Sequence, residues 1–290
     1  VSQDKVPQGK GTLYVVATPI GNLGDITRRA LDVLRDADVI AAEDTRNTGH
    51  LLNHYALRAR QLVALHEHNE RAAAEKLIGL LAEGKSVALV SDAGTPAVSD
   101  PGARLVADVR AAGFKVVPLP GANAAVAAVS AAGLDSAHFL FYGFLPSKST
   151  ARRKALAALV DLPYPIIFYE APHRILECVV DLEKIFGAAR SLTIAREITK
   201  LFETIHTCPL GEALAWMEAD PNQQRGEFVL IVEGAPSAEE GVESEAARRT
   251  LQLLLAELPL KQAVKLAVSI TGGKKNEIYD MALKMKGEGL

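Results

Sequence analysis

Cysteine is scarce: Cys178 and Cys208 are the only two in 290 residues. They stand far apart, with neither a CxxC pair nor an even series, so no disulfide framework is expected and a reduced cytosolic setting fits better than a secreted one. Long apolar runs are missing as well. None reaches the roughly 18 residues that a membrane span needs, and the opening stretch VSQDKVPQGK has no apolar core of signal-peptide length, so neither anchor nor leader is expected. Charge of one sign is not in excess. A net charge of −3 excludes a histone-like polycation and leaves any nucleic-acid contact to local basic patches. The phosphate-binding signatures are also absent: no GxxxxGK[ST] occurs, and the glycines within residues 18–25 are spaced G-x-x-G rather than GxGxxG. No internal repeat is visible.

What is present is ample core material, 49% hydrophobic in a chain longer than a typical domain, which predicts two lobes plus an appendage. Short β-branched runs (TLYVVAT, DVIAA, SVALVSD, FKVVPLP) alternate with amphipathic stretches at 26–36 and 101–112. That alternation reads as βα units on a mainly parallel sheet. A second series, FLFYGFLP, PIIFYE, SLTIAR and GEFVLIVEG, carries helices near 150–160, 174–186 and 211–219 and makes a second α/β lobe. Residues 234–244, GAPSAEEGVES, have linker composition, and beyond them the pattern is helical at 245–257, 261–270 and 276–284, with Gly272 and Gly273 between the last two.

Chemistry concentrates in three loops that follow strands. The first, TPIGNLGD at 18–25, lets backbone turn sharply and approach a ligand, although an ordinary tight turn has the same composition. The second, SDAGTPAVSDPG at 91–102, follows a hydrophobic strand. Asp100 fits a helix N-cap, Pro101 the first helical position and Gly113 the residue past the helix end. Capping leaves Ser91, Asp92, Gly94, Thr95, Pro96 and Ser99 unexplained, at the carboxyl end of a strand where open α/β sheets bind ligands. The third, PLPGAN at 118–123, leads into a small-residue helix. These loops offer backbone amides, hydroxyls and carboxylates but no basic group, which favours an adenosyl cofactor such as S-adenosylmethionine over NAD or ATP.

Together with AAEDTR, HEHNE, FYEAPHR, AREITKLFETIH, GEFVLIVEG and KKNEIYDMAL, the loops resemble the tetrapyrrole-methylase-like superfamily of S-adenosylmethionine methyltransferases over about Gly11 to Leu283. Within it, the closest resemblance is to the ribosomal RNA methyltransferases that 2'-O-methylate a cytidine in the decoding region of bacterial 16S rRNA. The resemblance implies two α/β lobes, residues 11–121 and 122–235, with the cofactor in the cleft between them, then a linker and helical tail at 236–290. It also implies a cytoplasmic homodimer acting on 16S rRNA in the small ribosomal subunit, with no membrane and no metal. Carried over position by position, the cofactor touches Pro19, Gly21, Asp92, Gly94, Thr95, Val98, Ser99, Ala122 and Asn123. The second lobe adds Tyr169, Ala171, Ala195, Glu197 and Glu227. One departure matters: Gly94-Thr95-Pro96 stands where many members have Gly-Asp-Pro, so Asp92 or Asp100 either substitutes for that aspartate or is purely structural.

A ribose 2'-hydroxyl is a poor nucleophile unless its proton is accepted. Glu170 and His173 lead the candidates for that acceptor, with Asp44 another; each has an alternative as a capping or salt-bridged residue. Arg196 is assigned to orienting substrate phosphate or pairing with Glu197. His50 and His54 at i and i+4, and His66 and His68 around Glu67, raise a zinc site. Without a cysteine among them, HEHNE is better read as lining the cleft or capping a helix near Asn69. Lys148, Arg152, Arg153 and Lys154 form a basic cluster suited to RNA phosphate, as do Lys274 and Lys275 in a helix-Gly-helix tail. The rival functions are a tetrapyrrole C-methyltransferase and a non-catalytic adenosyl-ligand-binding ribosome assembly factor.

Overall fold

The computed structural model of the chain describes residues 11–66, 69–236, 242–273 and 275–287. The first sheet is built from β1 (Thr12–Val16), β2 (Val39–Ala42), β3 (Leu62–Ala64), β4 (Val87–Val90) and β5 (Lys115–Leu119), in the order β3-β2-β4-β1-β5. Every pairing is parallel: Leu13, Tyr14 and Val15 of β1 face Val87, Ala88 and Leu89 of β4. The helices that return the chain between these strands are α1 (Arg28–Asp36), α2 (Thr45–His54), α3 (Glu70–Ala82) and α4 (Ala103–Ala111). VIAA and VALV are buried at all four positions because helices cover both faces of the sheet, which removes the polar alternation a one-sided sheet would show. One face packs Leu77 and Leu81 of α3 and Leu105 and Val109 of α4; the other packs Ala30, Val33 and Leu34 of α1 and Leu52 of α2.

α5 (Ala124–Ala131) leads to the second lobe, which contains β6 (Leu140–Phe144), α6 (Ser149–Ala157), β7 (Ile166–Glu170), α7 (Ile175–Phe186), β8 (Ser191–Arg196), β9 (Thr204–Pro209), α8 (Leu210–Ala219) and β10 (Phe228–Val232). Its order is β6-β7-β10-β8-β9, parallel between β6 and β7 and antiparallel at the other three pairings. This sheet is therefore mixed. β10 is buried at all five positions between β7 and β8. Ala125 and Ala128 of α5 pack on Ile167, Ala195 and Val229, where small side chains let the helix lie close to the sheet.

Two strands escaped the sequence pattern. β3 has three residues, too few for a period to show, and β9, TIHTCP, is an edge strand without clean alternation. Asp100 and Pro101 do not open α4, contrary to expectation. Gly102 is the N-cap, at φ 122, and the helix starts at Ala103. Asn69 stands at the α3 N-cap but makes no side-chain cap; its side chain accepts the His66 amide and donates to the Ala64 carbonyl. Glu67 and His68 lie outside the described residues.

The chain divides into two compact units, one comprising the two lobes up to residue 159 and from 165 to 233, the other 160–164 with 234–290. The second unit contains α9 (Val242–Glu257), α10 (Leu260–Thr271) and α11 (Lys275–Gly287). Ala247, Leu251, Val264, Ala267, Ile278 and Ala282 form its core, and Gly272 ends α10 in the left-handed conformation at φ 75.

Candidate functional site

The loops after β1 and β4 are joined by a two-residue antiparallel bridge. The Thr18 amide donates to the Gly94 carbonyl at 2.8 Å, the Gly94 amide returns to Thr18 at 3.0 Å, and the Thr18 hydroxyl donates to the Ser91 carbonyl. Gly94 is at φ 80 and a Cβ there would meet Ile20 at 3.3 Å, so glycine is needed for this approach. The loop after β5 is tied in by Thr95, whose hydroxyl donates to the Ala122 carbonyl at 3.0 Å. Asn123 caps α5 by accepting the Val126 amide, and the Tyr169 hydroxyl, from β7, accepts the Ala125 amide at 3.1 Å.

These loops and the facing ends of β7 and β10 enclose a cavity of about 300 Å³. Of the residues expected at the cofactor, Gly94, Thr95, Val98, Asn123, Tyr169, Ala171 and Glu227 line it, and so does Glu170. Others support it from behind. Ala122 is the acceptor for Thr95, Ser99 packs where a Cβ on Gly143 would come within 2.6 Å of its hydroxyl, Pro19 is buried beside the bridge, and Ala195 sits in the α5-facing core. Asp92 points elsewhere, accepting the Asp44 amide and the Asn47 side-chain amide. Gly21 is exposed and lies outside the lining, next to Lys200, whose Cγ would be 2.5 Å from a Cβ at that position. Sequence reasoning missed Ile20, inside the first loop it singled out, and Phe144, Ile198 and Val229, at or close to strand ends, in the lining. Asp100, read as either a helix cap or a stand-in for the family's loop aspartate, lines the cavity and does not cap α4.

The expected proton acceptors separate on inspection. Glu170 is fully enclosed: Oε1 accepts the Ala171 amide at 2.9 Å and faces Arg174 Nε at 3.1 Å, and Arg174 Nη2 reaches Oε2 at 3.3 Å. Its oxygens are committed to holding the 171–174 turn. His173 is exposed in that turn and is not part of the lining. Asp44 is the N-cap of α2, and the Arg46 guanidinium and amide pull its carboxyl down to about 2, which makes it a poor base. Arg196 is 8% exposed and neither reaches the cavity nor takes Glu197 as its partner. Its terminal nitrogens donate to the carbonyls of Arg225 and Phe202, fixing the backbone just before β10 and β9, the two strands that flank β8. Glu197 pairs instead with Lys200 at 2.7 Å, and Lys200 also holds Glu227 at 2.8 Å.

Asp100 differs from the other two carboxylates of the lining. No cation pairs with it among the described residues, and burial, with Glu43 and then Asp92 adding negative charge, raises its pKa to about 6 against a smaller opposing effect of the Ser91 hydroxyl.

The basic cluster also resolves unequally. Arg152 is fully buried, its Nε donating to Asp181 at 2.7 Å with Glu177 3.5 Å away, so it braces α6 on α7 and is withdrawn from RNA. The linear run held no acid, but the neighbouring helix α7 supplies two. Arg153 is half committed to Asp181 and Ser149, while Lys148 and Lys154 are exposed. In the tail, Lys261, Lys265 and Lys275 surround a groove floored by Val264, Val268 and Tyr279; Lys274 lies outside the described residues. Among the described residues no group of three or more His, Cys, Asp or Glu is placed to hold a metal, and no helix is long and apolar enough to cross a membrane.

Comparison with known proteins bears on this arrangement. Residues 12–214 match the family model for tetrapyrrole (corrin/porphyrin) methylases, and residues 241–286 match the RsmI C-terminal HTH domain. The chain is 55% identical over 278 residues to ribosomal RNA small subunit methyltransferase I of Escherichia coli O157:H7, covering 96% of each chain. The chain belongs to the tetrapyrrole methylase family, in its ribosomal RNA small subunit methyltransferase I group. Another relative of that name, from Pseudomonas aeruginosa, is 52% identical, with 96% of this chain and 99% of the other covered. Among solved structures, uroporphyrin-III C-methyltransferase from Thermus thermophilus, complexed with S-adenosyl homocysteine, superposes with a TM-score of 0.55 at 16% identity, covering 77% of this tetrapyrrole methylase family member and 97% of that chain. The likeness in fold spans both lobes.

Proposed function

We propose that the chain transfers a methyl group from S-adenosylmethionine to the ribose 2'-hydroxyl of a cytidine in the decoding region of 16S rRNA, in the cytoplasm and on the small ribosomal subunit. The observation that carries this proposal is the character of the cavity: its walls are apolar, Asp100 lines it with no cationic partner among the described residues, Glu170 and Glu227 line it paired with Arg174 and Lys200, and no described Lys, Arg or His lines it. A cationic adenosyl ligand fits such a site, and a phosphate-bearing one does not. When bound, the cofactor supplies an electrophilic methyl on a positively charged sulfur.

The chain's own residues then have distinct tasks. The bridged loops at Thr18 and Gly94 present backbone groups to the adenosyl part, Val98 and Ile20 exclude water, and Glu227, steadied by Lys200, faces the cavity from β10. In this scheme residues 11–121 and 122–235 make the catalytic body and 236–290 the docking appendage. RNA is held by the exposed Lys148 and Lys154 and by the lysine-rimmed groove of the tail. Leu201 and Phe202, 89% and 67% exposed on a loop that Arg196 clamps, supply an apolar surface for the second copy of a homodimer.

The test is incubation of purified protein with labelled S-adenosylmethionine and, separately, small subunits, naked 16S rRNA and tetrapyrrole extract. Label recovered as 2'-O-methylcytidine from one rRNA position is the expected outcome. Label recovered in the tetrapyrrole fraction would overturn it.

A further inference from the structure

We infer that Phe144 is the surface on which the base of the target nucleotide stacks while its ribose is methylated. The inference rests on the ribose-methylation proposal above and adds the group that orients the acceptor. Phe144 lines the cavity and is nevertheless 51% exposed, so it stands at the opening. Tyr169, the other aromatic ring of the lining, is partly buried, with its hydroxyl engaged by the Ala125 amide. A large apolar ring left half in water at the mouth of a site adds little to the core, and a ligand surface explains its place.

The backbone of β6 is distorted in the way that puts the ring there. Regular alternation would turn Phe141 and Phe144 to opposite faces of the sheet. Both instead meet Tyr169 edge-on, with ring centroids 5.0 and 5.6 Å away, while Tyr142 meets Phe168. The cause is a shift in register: Phe141 pairs with Ile167 and Gly143 with Phe168, so β6 spends one more residue than β7 between these two pairings. Gly143 sits at φ 83, and a Cβ there would come within 2.6 Å of the Ser99 hydroxyl, so glycine is required at the bulge. The added residue brings Phe144 onto the Tyr169 face, the kind of re-aiming that bulges beside active sites provide. Beyond the ring the chain is pinned, because Arg174 Nη2 donates to the Leu145 carbonyl at 2.6 Å and reaches Glu170 at 3.3 Å. Glu170 and Arg174 are thereby positioning residues for Phe144.

The chemistry of the occupant follows from the size and lining of the site. A cavity of about 300 Å³ is at the lower end of what one small ligand fills, so with the cofactor enclosed the acceptor nucleotide meets the protein at the opening. No described Lys, Arg or His lines the cavity, which leaves an aromatic face, and not a charge, to hold the group that arrives there. A nucleobase is the part of RNA that binds such a face. Once stacked, the base fixes its own ribose, which gives the 2'-oxygen the alignment that an in-line methyl displacement needs. Lys148, exposed four residues further along the chain, is available to the neighbouring phosphate.

The experiment is methylation of small ribosomal subunits at saturating S-adenosylmethionine by wild type, Phe144→Leu, Phe144→Tyr, Phe144→Trp and Tyr142→Ala. It is paired with calorimetric titration of S-adenosylmethionine, melting curves and mass-spectrometric identification of the methylated nucleoside. Phe144→Leu keeps an apolar side chain without an aromatic face and should lose about 5- to 150-fold in kcat/KM for the subunit, the worth of one base–aromatic stack. Phe144→Tyr and Phe144→Trp keep a face and should stay within about threefold of wild type, as should Tyr142→Ala on the opposite side of the strand. Cofactor affinity should change by less than about threefold in all four. A kcat/KM of Phe144→Leu within about twofold of wild type overturns the stacking role, and so does a loss in the Tyr and Trp variants as large as in Leu. A fall in cofactor affinity that matches the fall in kcat/KM also overturns it, since the ring would then be a wall of the cofactor site. If wild type methylates no ribose of the small subunit, the ribose-methylation proposal fails and this one with it, an outcome read from the nucleoside and independent of any Phe144 variant.

Discussion

Glu70, the first residue of α3, holds the first turn of α4: its Oε1 accepts the Gly102 amide at 3.1 Å and the Arg104 amide at 3.2 Å. One carboxylate thus satisfies two amides that the start of a helix leaves open, and its charge suits the positive end of the helix dipole. Replacing Glu70 with Ala should cost about 1 kcal/mol, in the range of a lost N-cap, and Glu70→Gln should cost less because its amide oxygen still accepts. Urea unfolding with an unchanged m-value would check this; equal stability of all three proteins would refute the capping role.

That contact also marks where sequence reasoning stops. Asp100-Pro101 has the local grammar of a helix start, and a linear reading assigns the cap to it. Gly102 is the N-cap, and the side chain that satisfies its amide comes from 32 residues upstream, through a contact that only the packing of α3 beside α4 creates. The parallel first sheet was legible because buried runs such as VALV, bounded by loops rich in glycine and proline, announce themselves locally. The second lobe was read as α/β, but its three antiparallel pairings depend on how β7, β8, β9 and β10 meet, which no periodicity encodes. Of the site, the backbone-rich loops were visible and the division of labour among carboxylates was not. Glu170, Glu227 and Asp100 are alike in sequence; Arg174 at the first, Lys200 at the second and no paired cation among the described residues at the third tell them apart.

Arg152 makes the same point for the basic cluster. Arg152→Ala should destabilise the protein by about 3 kcal/mol, because Asp181 would keep only Arg153 and Ser149 in a buried position. Lys154→Ala, on an exposed face, should change stability by less than about 0.5 kcal/mol. Denaturant midpoints of the two variants would separate them, and equal midpoints would show that the buried pair contributes nothing.

Val98 lines the apolar wall of the cavity. Val98→Arg should abolish S-adenosylmethionine binding in calorimetry with the fold retained by circular dichroism, since a guanidinium would fill a site built for another cation. Val98→Ile should bind within about tenfold, as extra volume alone costs about 1 to 3 kcal/mol in a packed site and less in an open one. Unchanged affinity in the Arg variant would place the ligand elsewhere.

The elevated carboxyl of Asp100 has a consequence for stability whose sign is fixed. Its folded-state pKa of about 6 lies above the ordinary aspartate value, so ionisation opposes folding, and the group's contribution is lost as pH rises through 6. Asp100→Asn should therefore match wild type in melting temperature near pH 4 and exceed it at pH 8. Allowing for its partial exposure to water, the gain is about 1 kcal/mol, or about 2 to 4 °C. A variant less stable than wild type at pH 8 would mean that the carboxylate is held by favourable contacts.

RNA docking is the last point that measurement can decide. On a chain with a net charge of −3, phosphate affinity has to come from particular cations. Lys148 and Lys154 are exposed on the catalytic body, and Lys261, Lys265 and Lys275 rim the groove of the tail. Each cation that neutralises a phosphate releases counterions, so its removal lowers the slope of log affinity against log salt by roughly 0.7 on single-stranded and 0.9 on double-stranded nucleic acid. Lys148→Ala with Lys154→Ala should reduce the slope by about 1.4 to 1.8, and the triple alanine variant of the groove by about 2 to 3. Arg152 is left intact in both, since its loss would unsettle α6 and confuse folding with binding. Small-subunit binding across a salt series, with cofactor affinity measured in parallel, gives the two slopes. Cofactor affinity should be the same in every variant. A slope unaffected by the groove substitutions but reduced by the first pair would confine docking to the catalytic body, and the reverse would assign it to the tail.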